Sequence, residues 1–483
     1  MWVAYTFASQ LLQKQFFSTN FAASIFNQIT VLIMKRLFIL SSIFCLSLSV
    51  TAQETSSINT HTFAFNLMEQ LEKQCEADNK NLVFSPLSAW IALSMLQNGA
   101  AGNTLAEMQQ AMSTTDYSTQ QLNEYNQQLM SVMQHSTIPE WMSPEEIDPQ
   151  SVPSLESANS IWSDTGFPFL SSFYDVNTEY YDAYLQTLDL SEQESMDIID
   201  AWVNEATHAA IPSIKMLPND MLRMILINTI YFKGGWSSAF HKRLTNYDTF
   251  YNDGNKPVSI PMMHQQEMLM YANAEGYQAV KLYYGFDAKF SMTIFLPDQT
   301  EMSNPLTAER WENIQKAMHG EGVTLSMPRF NTNCELGLMD ALKALGMQDA
   351  FDAILADFSK MSPIGLFVSK IKQLAHIEVD EDGTVAAAAT VIAMDEYAIP
   401  DYPITFTINH PFYFTIEDNE TGTILFMGHM RNIVENTGES ASISSTPQSV
   451  PRDDAPIFDI SGRQLYSKPQ HGLYIHNGKK HFK

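Results

Sequence analysis

The chain has 483 residues, 45% of them hydrophobic, which is enough apolar material for one large domain or two medium ones. Its 54 acidic and 27 basic side chains give a formal net charge of −27, and no Lys or Arg occurs between Lys80 and Lys215. A surface this acidic repels nucleic acid, heparin-like polyanions and anionic lipid headgroups, so none of these is an expected partner.

The first recognisable pattern along the chain, residues 34–52, is typical of a secretory signal peptide. Lys35 and Arg36 precede the apolar run Leu37–Val50, and small residues lie just before a cut at Gln53. The apolar run is too short for a comfortable membrane span. We therefore expect secretion to an extracellular location.

The predicted elements of the body begin with helices and continue mainly as strands. Phe63–Glu76 has apolar residues at helical spacing, and Trp90–Leu96 continues as a buried apolar helix. Met224–Phe232 and Met292–Leu296 predict buried strands, the second ending in a turn. Further strands are predicted at Ile404–Ile408, Phe412–Ile416 and Ile424–Met427. This mixture without a regular βαβ repeat indicates an α+β fold with mixed or antiparallel sheets.

Two stretches differ from the body in composition. Ile138–Ser157 is rich in Pro, Glu and Ser and predicts a surface loop insertion. Residues 454–483, which follow a Ser/Thr/Pro-rich stretch at 435–453, show a strand–turn–strand pattern with turns at Ser461-Gly462 and Asn477-Gly478. The chain thus divides into a gene-model extension at 1–33, the signal peptide at 34–52, a folded domain at 53–434, a linker at 435–453 and a C-terminal segment at 454–483.

The three cysteines are Cys45, which falls in the signal peptide, and the widely separated Cys75 and Cys334. The last two form no CxxC pair and have no nearby His cluster, which argues against a zinc site or a redox motif. Two buried free thiols are the favoured arrangement, and one long-range disulfide is the alternative. We expect no cofactor and no metal.

Six stretches resemble the serpin family, in order and across nearly all of residues 61–433. They are NLVFSPLSAWIALSMLQNGAAGNTLAEM (Asn81–Met108), LINTIYFKGGWSSAF (Leu226–Phe240), PMM (Pro261–Met263), FLPD (Phe295–Asp298), HIEVDEDGTVAAAAT (His376–Thr390) and NHPFYFTIEDNETGTILFMGHM (Asn409–Met430). The resemblance implies three β-sheets, about nine helices and an exposed reactive-centre loop near the C-terminus. It also implies inhibition of proteases by conformational trapping rather than catalysis.

The resemblance also assigns roles to particular residues. The shutter and breach positions, where the sheet opens, are Ser85, Ser88, Asn228, Trp236 and Gln373. The hinge positions of the reactive loop are Glu381, Gly383, Thr384, Ala386, Ala387, Ala388, Ala389 and Thr390. Two positions depart from the family pattern. Gln373 stands where many members have His, and it can still donate and accept a hydrogen bond. Val385 stands where Glu is frequent, and it is expected to point outward in the inserted strand.

The hinge sequence suits insertion into a sheet. Four consecutive alanines after Gly383 would by themselves suggest a helical turn, since Ala is the best helix former. As a strand, the same segment alternates its faces. One face then carries Thr384, Ala386, Ala388, Thr390, Ile392 and Met394. No residue from Thr384 to Met394 is charged, so the segment can enter a sheet without burying a charge.

The family register predicts the scissile bond as Tyr397-Ala398. Tyr397 lies fourteen residues after Gly383, the glycine that sets the register in the family, and also fourteen before Pro411, a distance that varies among family members. A Tyr on the acyl side suits the apolar primary pocket of chymotrypsin-like proteases. Asp395 and Glu396 favour enzymes that tolerate acid beside the cut. A different register would move the cut to Glu396, Ala398 or Met394.

Other functions have weaker support. The chain has no GxSxG, HExxH or phosphate-loop motif, and His264, His376 and His410 are isolated, so an enzyme is not expected. The expected partner is a serine or cysteine protease held in a covalent acyl complex by a monomer. The alternative is a non-inhibitory serpin acting as a binding or carrier protein. The C-terminal segment resembles sorting domains of the bacterial type IX secretion pathway, which implies a bacterial secreted protein and a route to the outer-membrane surface. A disordered appendage is the other interpretation.

Overall fold

The computed structural model describes residues 58–133, 152–298, 305–384 and 402–434, together with four short strands between residues 457 and 482. The compact unit that contains the body begins at Thr60. Among the described residues, no helix is both long and apolar enough to cross a membrane. The segments expected at 1–33, 34–52 and 435–453 lie outside the described residues.

The described residues form eight α-helices and a single 3-10 turn at Asp349–Phe351. The helices are α1 Thr60–Ala77, α2 Pro86–Gln97, α3 Gly102–Ala111, α4 Thr119–Met133, α5 Ser171–Tyr181, α6 Gln193–Ala206, α7 Ala308–Ala317 and α8 Met339–Ala344. The strands are β1 Leu82–Phe84, β2 Ser154–Asp164, β3 Tyr184–Leu188, β4 Met224–Gly235, β5 Asn246–Asn252, β6 Lys256–Ala274, β7 Tyr277–Tyr284, β8 Phe290–Pro297, β9 His319–Pro328, β10 Phe330–Gly337, β11 Lys372–Val379, β12 Gly383–Thr384, β13 Ile404–Thr407, β14 Phe412–Asp418, β15 Ile424–Met430, β16 Ile457–Asp459, β17 Gln464–Leu465, β18 Leu473–His476 and β19 Lys479–Phe482.

The strands of the body join into two sheets. A six-stranded sheet has the order β10-β11-β12-β4-β2-β3, and a nine-stranded sheet has the order β1-β15-β14-β8-β7-β6-β9-β13, with β5 paired to β6. The nine-stranded sheet is continuous because the 19-residue β6 pairs in succession with β5 over Lys256–Met262, with β9 over Met262–Tyr271 and with β7 over Met270–Ala274. A third, four-stranded sheet lies in the C-terminal segment. The α+β class and the multiple sheets are confirmed.

Helix α2 is the buried helix between the sheets and the other helices. Its start follows from the local sequence: the Ser85 hydroxyl accepts a hydrogen bond from the Ser88 N–H at 3.1 Å, and Pro86 occupies the first turn. Every residue of α2 except Ala92 is buried, as expected for a helix that is apolar all round. It packs against β4 of one sheet and β15 of the other.

The predicted helices and strands are confirmed, with small differences at their ends. One loop prediction is wrong in part, because the last residues of the Ile138–Ser157 insertion, from Ser154 onward, belong to β2. They pair with β4 in the register Ser154↔Lys233 to Ser157↔Ile230. The polar composition there hid a strand whose inward residue, Leu155, is buried. Residues 138–151 of the insertion lie outside the described residues.

The two body cysteines follow the expectation, whereas both turns predicted in the C-terminal segment, at Ser461-Gly462 and Asn477-Gly478, lie outside the described residues. Cys75 and Cys334 are both free and buried thiols, and burial raises the pKa of each to about 11. In the C-terminal segment, β18 and β19 form a hairpin with the pair His476↔Lys479 at its end. The two intervening residues, Asn477 and Gly478, are the pair that favours a tight two-residue turn.

A buried ionic cluster fixes α1 to β15. The Glu72 carboxylate accepts a hydrogen bond from His429 Nδ1 at 2.8 Å and forms an ion pair with Arg431. Burial by itself would raise the pKa of Glu72. His429 and Arg431 outweigh that effect and hold the pKa below its usual value. The cluster therefore stabilises the fold above the usual Glu pKa, and this stabilisation is lost as the pH falls below it.

Replacing Glu72 by Gln is expected to lower the free energy of unfolding by about 3 kcal/mol at pH 7, because the guanidinium of Arg431 would stay buried without its countercharge. The loss of stability as the pH falls below the usual Glu pKa should also become shallower than in the wild type. Denaturant titrations across this pH range measure both effects. The control is Glu69→Gln on the same helix, since Glu69 makes an exposed pair with Lys73. Equal stability losses in the two variants would contradict the assignment.

Candidate reactive-loop hinge and insertion site

The hinge begins as a short strand between two longer ones. Strand β12 pairs with β11 through Thr384↔Val379 and with β4 through Gly383↔Gly235 and Thr384↔Gly234. Both pairings are antiparallel. In the sheet order β12 lies between β11 and β4, so these two longer strands are connected only through Gly383 and Thr384. The start of the predicted hinge is thus already part of the six-stranded sheet.

Only glycine fits at the first position of β12. Gly383 has a φ of +150°, and a Cβ built on it would lie 2.1 Å from the Gly234 carbonyl oxygen and 2.8 Å from Gly235 Cα. Both contacts are with backbone, which has little freedom to move away. The close approach of Gly383 to β4 therefore requires a residue without a side chain.

Thr384 faces the protein interior. Its side chain is 3% exposed, and its hydroxyl lies 2.6 Å from the hydroxyl of Tyr284 on β7. The Tyr284 ring is fully buried and stacks on Trp236 with centroids 4.4 Å apart. Burial raises the pKa of Tyr284, so this phenol stays protonated. The first residue of the alternating uncharged segment, Thr384, therefore lies on the inner face of the sheet.

The turn between β11 and β12 is held from two sides. The Asp380 carboxylate accepts the N–H groups of Asp382 and Gly383 at 2.9 and 3.2 Å, which closes the turn locally. The Trp236 indole donates to the Asp380 carbonyl at 3.0 Å, and the Trp236 N–H donates to the Asp382 carbonyl at 2.9 Å. Trp236, assigned to the breach, therefore contacts the hinge directly.

Glu381 is the charged anchor of the hinge. Its side chain is 1% exposed, pairs with Arg329 and accepts a hydrogen bond from the Thr245 hydroxyl at 2.5 Å. Burial would raise the pKa of Glu381. The hydrogen bonds from Arg329 and Thr245 outweigh it and hold the pKa below the usual value. The carboxylate stays ionised, because its buried charge is paired.

Beyond Thr384, a cleft of about 560 Å³ lies between β4 and β11. Its walls include Met224–Phe232 of β4 and Lys372–Ile377 of β11, with Thr384 at one end, and α2 contributes Ser85 and Ser88. The lining is predominantly apolar. The cleft thus extends in the direction in which β12 would continue.

The shutter residues line this cleft, and the structure divides them into two groups. The Gln373 amide donates to the Ser85 carbonyl at 2.8 Å and accepts from the Ser85 N–H at 3.1 Å, which ties β11 to the start of α2. The side-chain amide of Asn228 on β4 donates to Asn159 Oδ1 at 2.8 Å. The backbone carbonyl of Asn228 accepts a hydrogen bond from the Ser88 hydroxyl at 3.4 Å. Gln373 therefore both donates and accepts, with the backbone of Ser85 as its partner.

A buried chain of amides continues from Asn228 into the helices. Asn159 donates to the Tyr181 carbonyl at 2.7 Å, Asn126 donates to the Tyr181 hydroxyl at 3.1 Å, and the Trp90 indole donates to Asn126 Oδ1 at 2.8 Å. The network links β2 to α5, α4 and α2. Sequence patterns did not reveal it, since scattered Asn and Tyr residues carry no periodic signal.

The structure brings together Ser85, Ser88, Asn228 and Gln373 at the cleft, and Trp236, Glu381, Gly383 and Thr384 at its end. Ala386, Ala387, Ala388, Ala389, Thr390, Tyr397 and Ala398 lie outside the described residues. Three partners of the hinge escaped the sequence reasoning: Thr245, Tyr284 and Arg329. The isolated histidines have ordinary structural partners, for example Ser326 for His264 and Asn333 for His376.

The six-stranded sheet thus holds an apolar cleft between β4 and β11, with the two-residue strand β12 at its end. The family model described as "Serpin (serine protease inhibitor)" matches residues 58–433. The chain therefore belongs to the serpin family, whose members are protease inhibitors rather than enzymes.

Individual relatives agree with this assignment. The chain is 32% identical to a serpin-like protein of Thermococcus kodakarensis over 386 residues, covering 78% of this chain and 85% of the relative. It is 33% identical to Serpin B6 of Pongo abelii over 382 residues, covering 76% and 96%. Among solved structures it resembles the thermophilic serpin Tengpin in the native state, with a TM-score of 0.69, 29% identity and coverage of 79% and 95%.

Proposed function

We propose that the protein is a secreted inhibitor that traps serine or cysteine proteases by inserting its cleaved reactive loop between β4 and β11. The observation that carries this proposal is the cleft between these strands, with the hinge residues Gly383 and Thr384 already paired at its end. Loop residues that continue β12 would enter the cleft without any change in the pairing of Gly383 and Thr384.

The register of β12 predicts where each loop residue would pair. Continued along β4, it sets Thr384–Met394 opposite Met224–Gly234, which is the whole of β4 except its last residue. This segment is the uncharged one, and the first charge, Asp395, falls beyond the start of β4. The length of the strand and the length of the uncharged segment therefore agree.

The same register suggests a role for Thr390. It would pair with Asn228 on one side and Gln373 on the other, on the face that Thr384 already directs inward. Asn228 Oδ1 is buried and has no hydrogen-bond partner among the described residues. A buried acceptor without a donor is unfavourable, so a hydroxyl delivered to this row would gain a hydrogen bond. Insertion thus satisfies a polar atom that is otherwise unpaired.

The proposed reaction begins as ordinary proteolysis. The protease nucleophile attacks the carbonyl carbon of Tyr397, the bond to the Ala398 nitrogen breaks, and the amine leaves with a proton. The protease is now covalently attached, as an acyl-enzyme, to the new end of the loop at Tyr397. About ten new residue pairings at roughly 0.5–1.5 kcal/mol each supply on the order of 10 kcal/mol, which drives insertion and carries the protease away from its deacylating geometry.

Equimolar incubation of the chain from Gln53 to Lys483 with chymotrypsin is expected to give a covalent complex that survives denaturation. Mass spectrometry should find a released C-terminal fragment that begins at Ala398. A complex with a fragment starting at another loop residue would keep the mechanism and change the predicted target class. Cleavage in the loop with no complex and no gain in thermal stability would contradict inhibition.

That last outcome would favour the alternative function, a non-inhibitory serpin that binds or carries a ligand. The small, uncharged hinge residues favour the inhibitory function, because bulky, charged or Pro residues at the hinge are typical of non-inhibitory relatives. The proposed export rests on the signal pattern at residues 34–52. The proposed delivery to the outer-membrane surface rests on the C-terminal segment, residues 454–483.

A further inference from the structure

The charged side chains of the cleft between β4 and β11 are all basic and lie at the end away from the hinge. Arg223 immediately precedes β4, and Lys370 lies two residues before β11. Both line the cleft, and so does Lys372, which shares the Glu335 carboxylate with Lys215. None of the described residues that line the cleft is Asp or Glu, although the chain has twice as many acidic as basic side chains. The far end of the cleft therefore favours a negatively charged group.

Arg223 is held in place and still has unused hydrogen-bond donors. Its Nη1 donates to Asp164 Oδ2 at 2.9 Å and to the Leu222 carbonyl at 3.0 Å. The guanidinium also lies over the Phe167 ring, 5.7 Å from the ring centroid. Within the described part of the chain, Nε and Nη2 of Arg223 have no hydrogen-bond partner. The guanidinium can therefore bind a second carboxylate without leaving its present position.

Lys370 adds a positive charge that is not yet paired. Its side chain is exposed and makes no hydrogen bond or ion pair with any residue that the structure describes. The Leu338 N–H donates to the Ile371 carbonyl at 3.0 Å, so the contact between β10 and β11 continues toward Lys370. Asp164 already offsets the charge of Arg223. The ammonium group of Lys370 thus leaves a net positive charge for an incoming carboxylate.

The insertion register brings a carboxylate to this place. Continued from β12, the pairing sets Asp395 opposite Arg223 on the β4 side and Ala393 opposite Lys370 on the β11 side. Directly opposite residues of an antiparallel pair share a face of the sheet, and so do residues two apart on one strand. Diagonal neighbours on that face are about 7–8 Å apart, within reach of a long side chain. An inserted Asp395 would thus lie beside Arg223 and diagonally across from Lys370.

We propose that Arg223 and Lys370, which we call the cationic end pair, bind the Asp395 carboxylate when the loop is fully inserted. The inference rests on the proposed inhibitory function and adds two positioning residues to it. Asp395 is the first charged residue after the uncharged segment, and it reaches the cleft where the lining is basic. Tyr397, which carries the acyl bond, is two residues further on. Binding of Asp395 therefore holds the end of the inserted strand, and the attached protease, at this end of the sheet.

The unfolding rate of the loop-cleaved protein tests the cationic end pair, because the contact exists only after insertion. The chain from Gln53 to Lys483 is cleaved with chymotrypsin, separated from any covalent complex and unfolded in urea beside the uncleaved chain. Cleaved Asp395→Asn is expected to unfold about fivefold faster than the cleaved wild type, as for the loss of one partly exposed ion pair. The uncleaved forms of the two chains should unfold at equal rates.

The matched control is Glu396→Gln, which removes the same charge one residue away. In the same register Glu396 falls opposite Leu222 and Phe367, which are apolar, so the cleaved control should unfold like the cleaved wild type. A double-mutant cycle identifies the partners. In an Arg223→Gln or a Lys370→Gln background, the effect of Asp395→Asn should fall below about twofold. A salt concentration of about 1 M should reduce the effect as well, because it screens the charges.

Equal acceleration by Asp395→Asn and Glu396→Gln would overturn the cationic end pair, since both would then report only the overall charge. An Asp395→Asn effect that persists undiminished in both the Arg223→Gln and Lys370→Gln backgrounds would also overturn it. So would a cut before Asp395, identified by mass spectrometry, because the inserted strand would then lack the carboxylate. If cleavage slows unfolding of the wild type and of every variant equally, insertion stands and only the cationic end pair is refuted. If cleavage does not slow unfolding of the wild type at all, insertion itself is refuted, and the cationic end pair with it.

Discussion

Replacing Ala386 by Arg is expected to convert the protein from an inhibitor into a substrate of chymotrypsin. If the register of β12 continued after insertion, residue 386 would pair with Phe232 and Ile377 on the face that Thr384 directs inward, so the guanidinium would be buried in apolar surroundings. Burying an unpaired charge costs several kcal/mol, and about 1.4 kcal/mol on a barrier slows a step tenfold. Slower insertion leaves time for the acyl bond to hydrolyse.

The measurement is the number of inhibitor molecules consumed per protease molecule inactivated. It should rise from near equimolar to roughly tenfold or more in Ala386→Arg. The matched control is Val385→Arg, because residue 385 falls on the opposite face, in the row of Lys233 and Glu378, where Glu378 is exposed. The control should still form the covalent complex. Equal trapping by the two Arg variants would refute the proposed insertion register.

Replacing Gly383 by Ala is expected to displace β12 from the sheet and to lower the free energy of unfolding by about 3 kcal/mol. The added Cβ would meet the Gly234 carbonyl oxygen at 2.1 Å, and the φ of +150° is strained for any residue with a side chain. Losing β12 also removes the contact between Thr384 and Tyr284. The hinge would then be released from its present position at the end of the cleft.

Denaturant titration measures the loss of stability, and hydrogen exchange at the amides of Gly234 and Thr384 reports whether β12 remains paired. The control is Gly320→Ala, since a Cβ at Gly320 meets no atom within 4 Å. That variant should stay within about 0.5 kcal/mol of the wild type. Protected amides and unchanged stability in Gly383→Ala would show that the backbone of β4 moves aside for the added Cβ. That result would contradict the conclusion that only glycine fits at the first position of β12.

The helices and strands that could be predicted from the local sequence are those with a periodic pattern of apolar residues. The helix at Phe63–Glu76 and the strand at Met224–Phe232 were predicted because apolar spacing and β-branched content act over neighbouring residues. The same reasoning failed from Ser154 to Ser157, where polar residues form a strand. That strand exists because β4 is available to pair with it, and β4 begins 70 residues later.

The sequence by itself determined the family, the uncharged hinge segment and which of its residues share a face with Thr384, since motifs and strand alternation are local properties. The scissile bond, the export route and the target remain predictions. Only the tertiary structure decided which residues anchor the hinge: Arg329 for Glu381, Tyr284 for Thr384 and the backbone of Ser85 for Gln373. These partners are 52, 100 and 288 positions apart in the chain. Contacts at such separations are made when distant strands and helices pack together, and no periodicity along the chain encodes them.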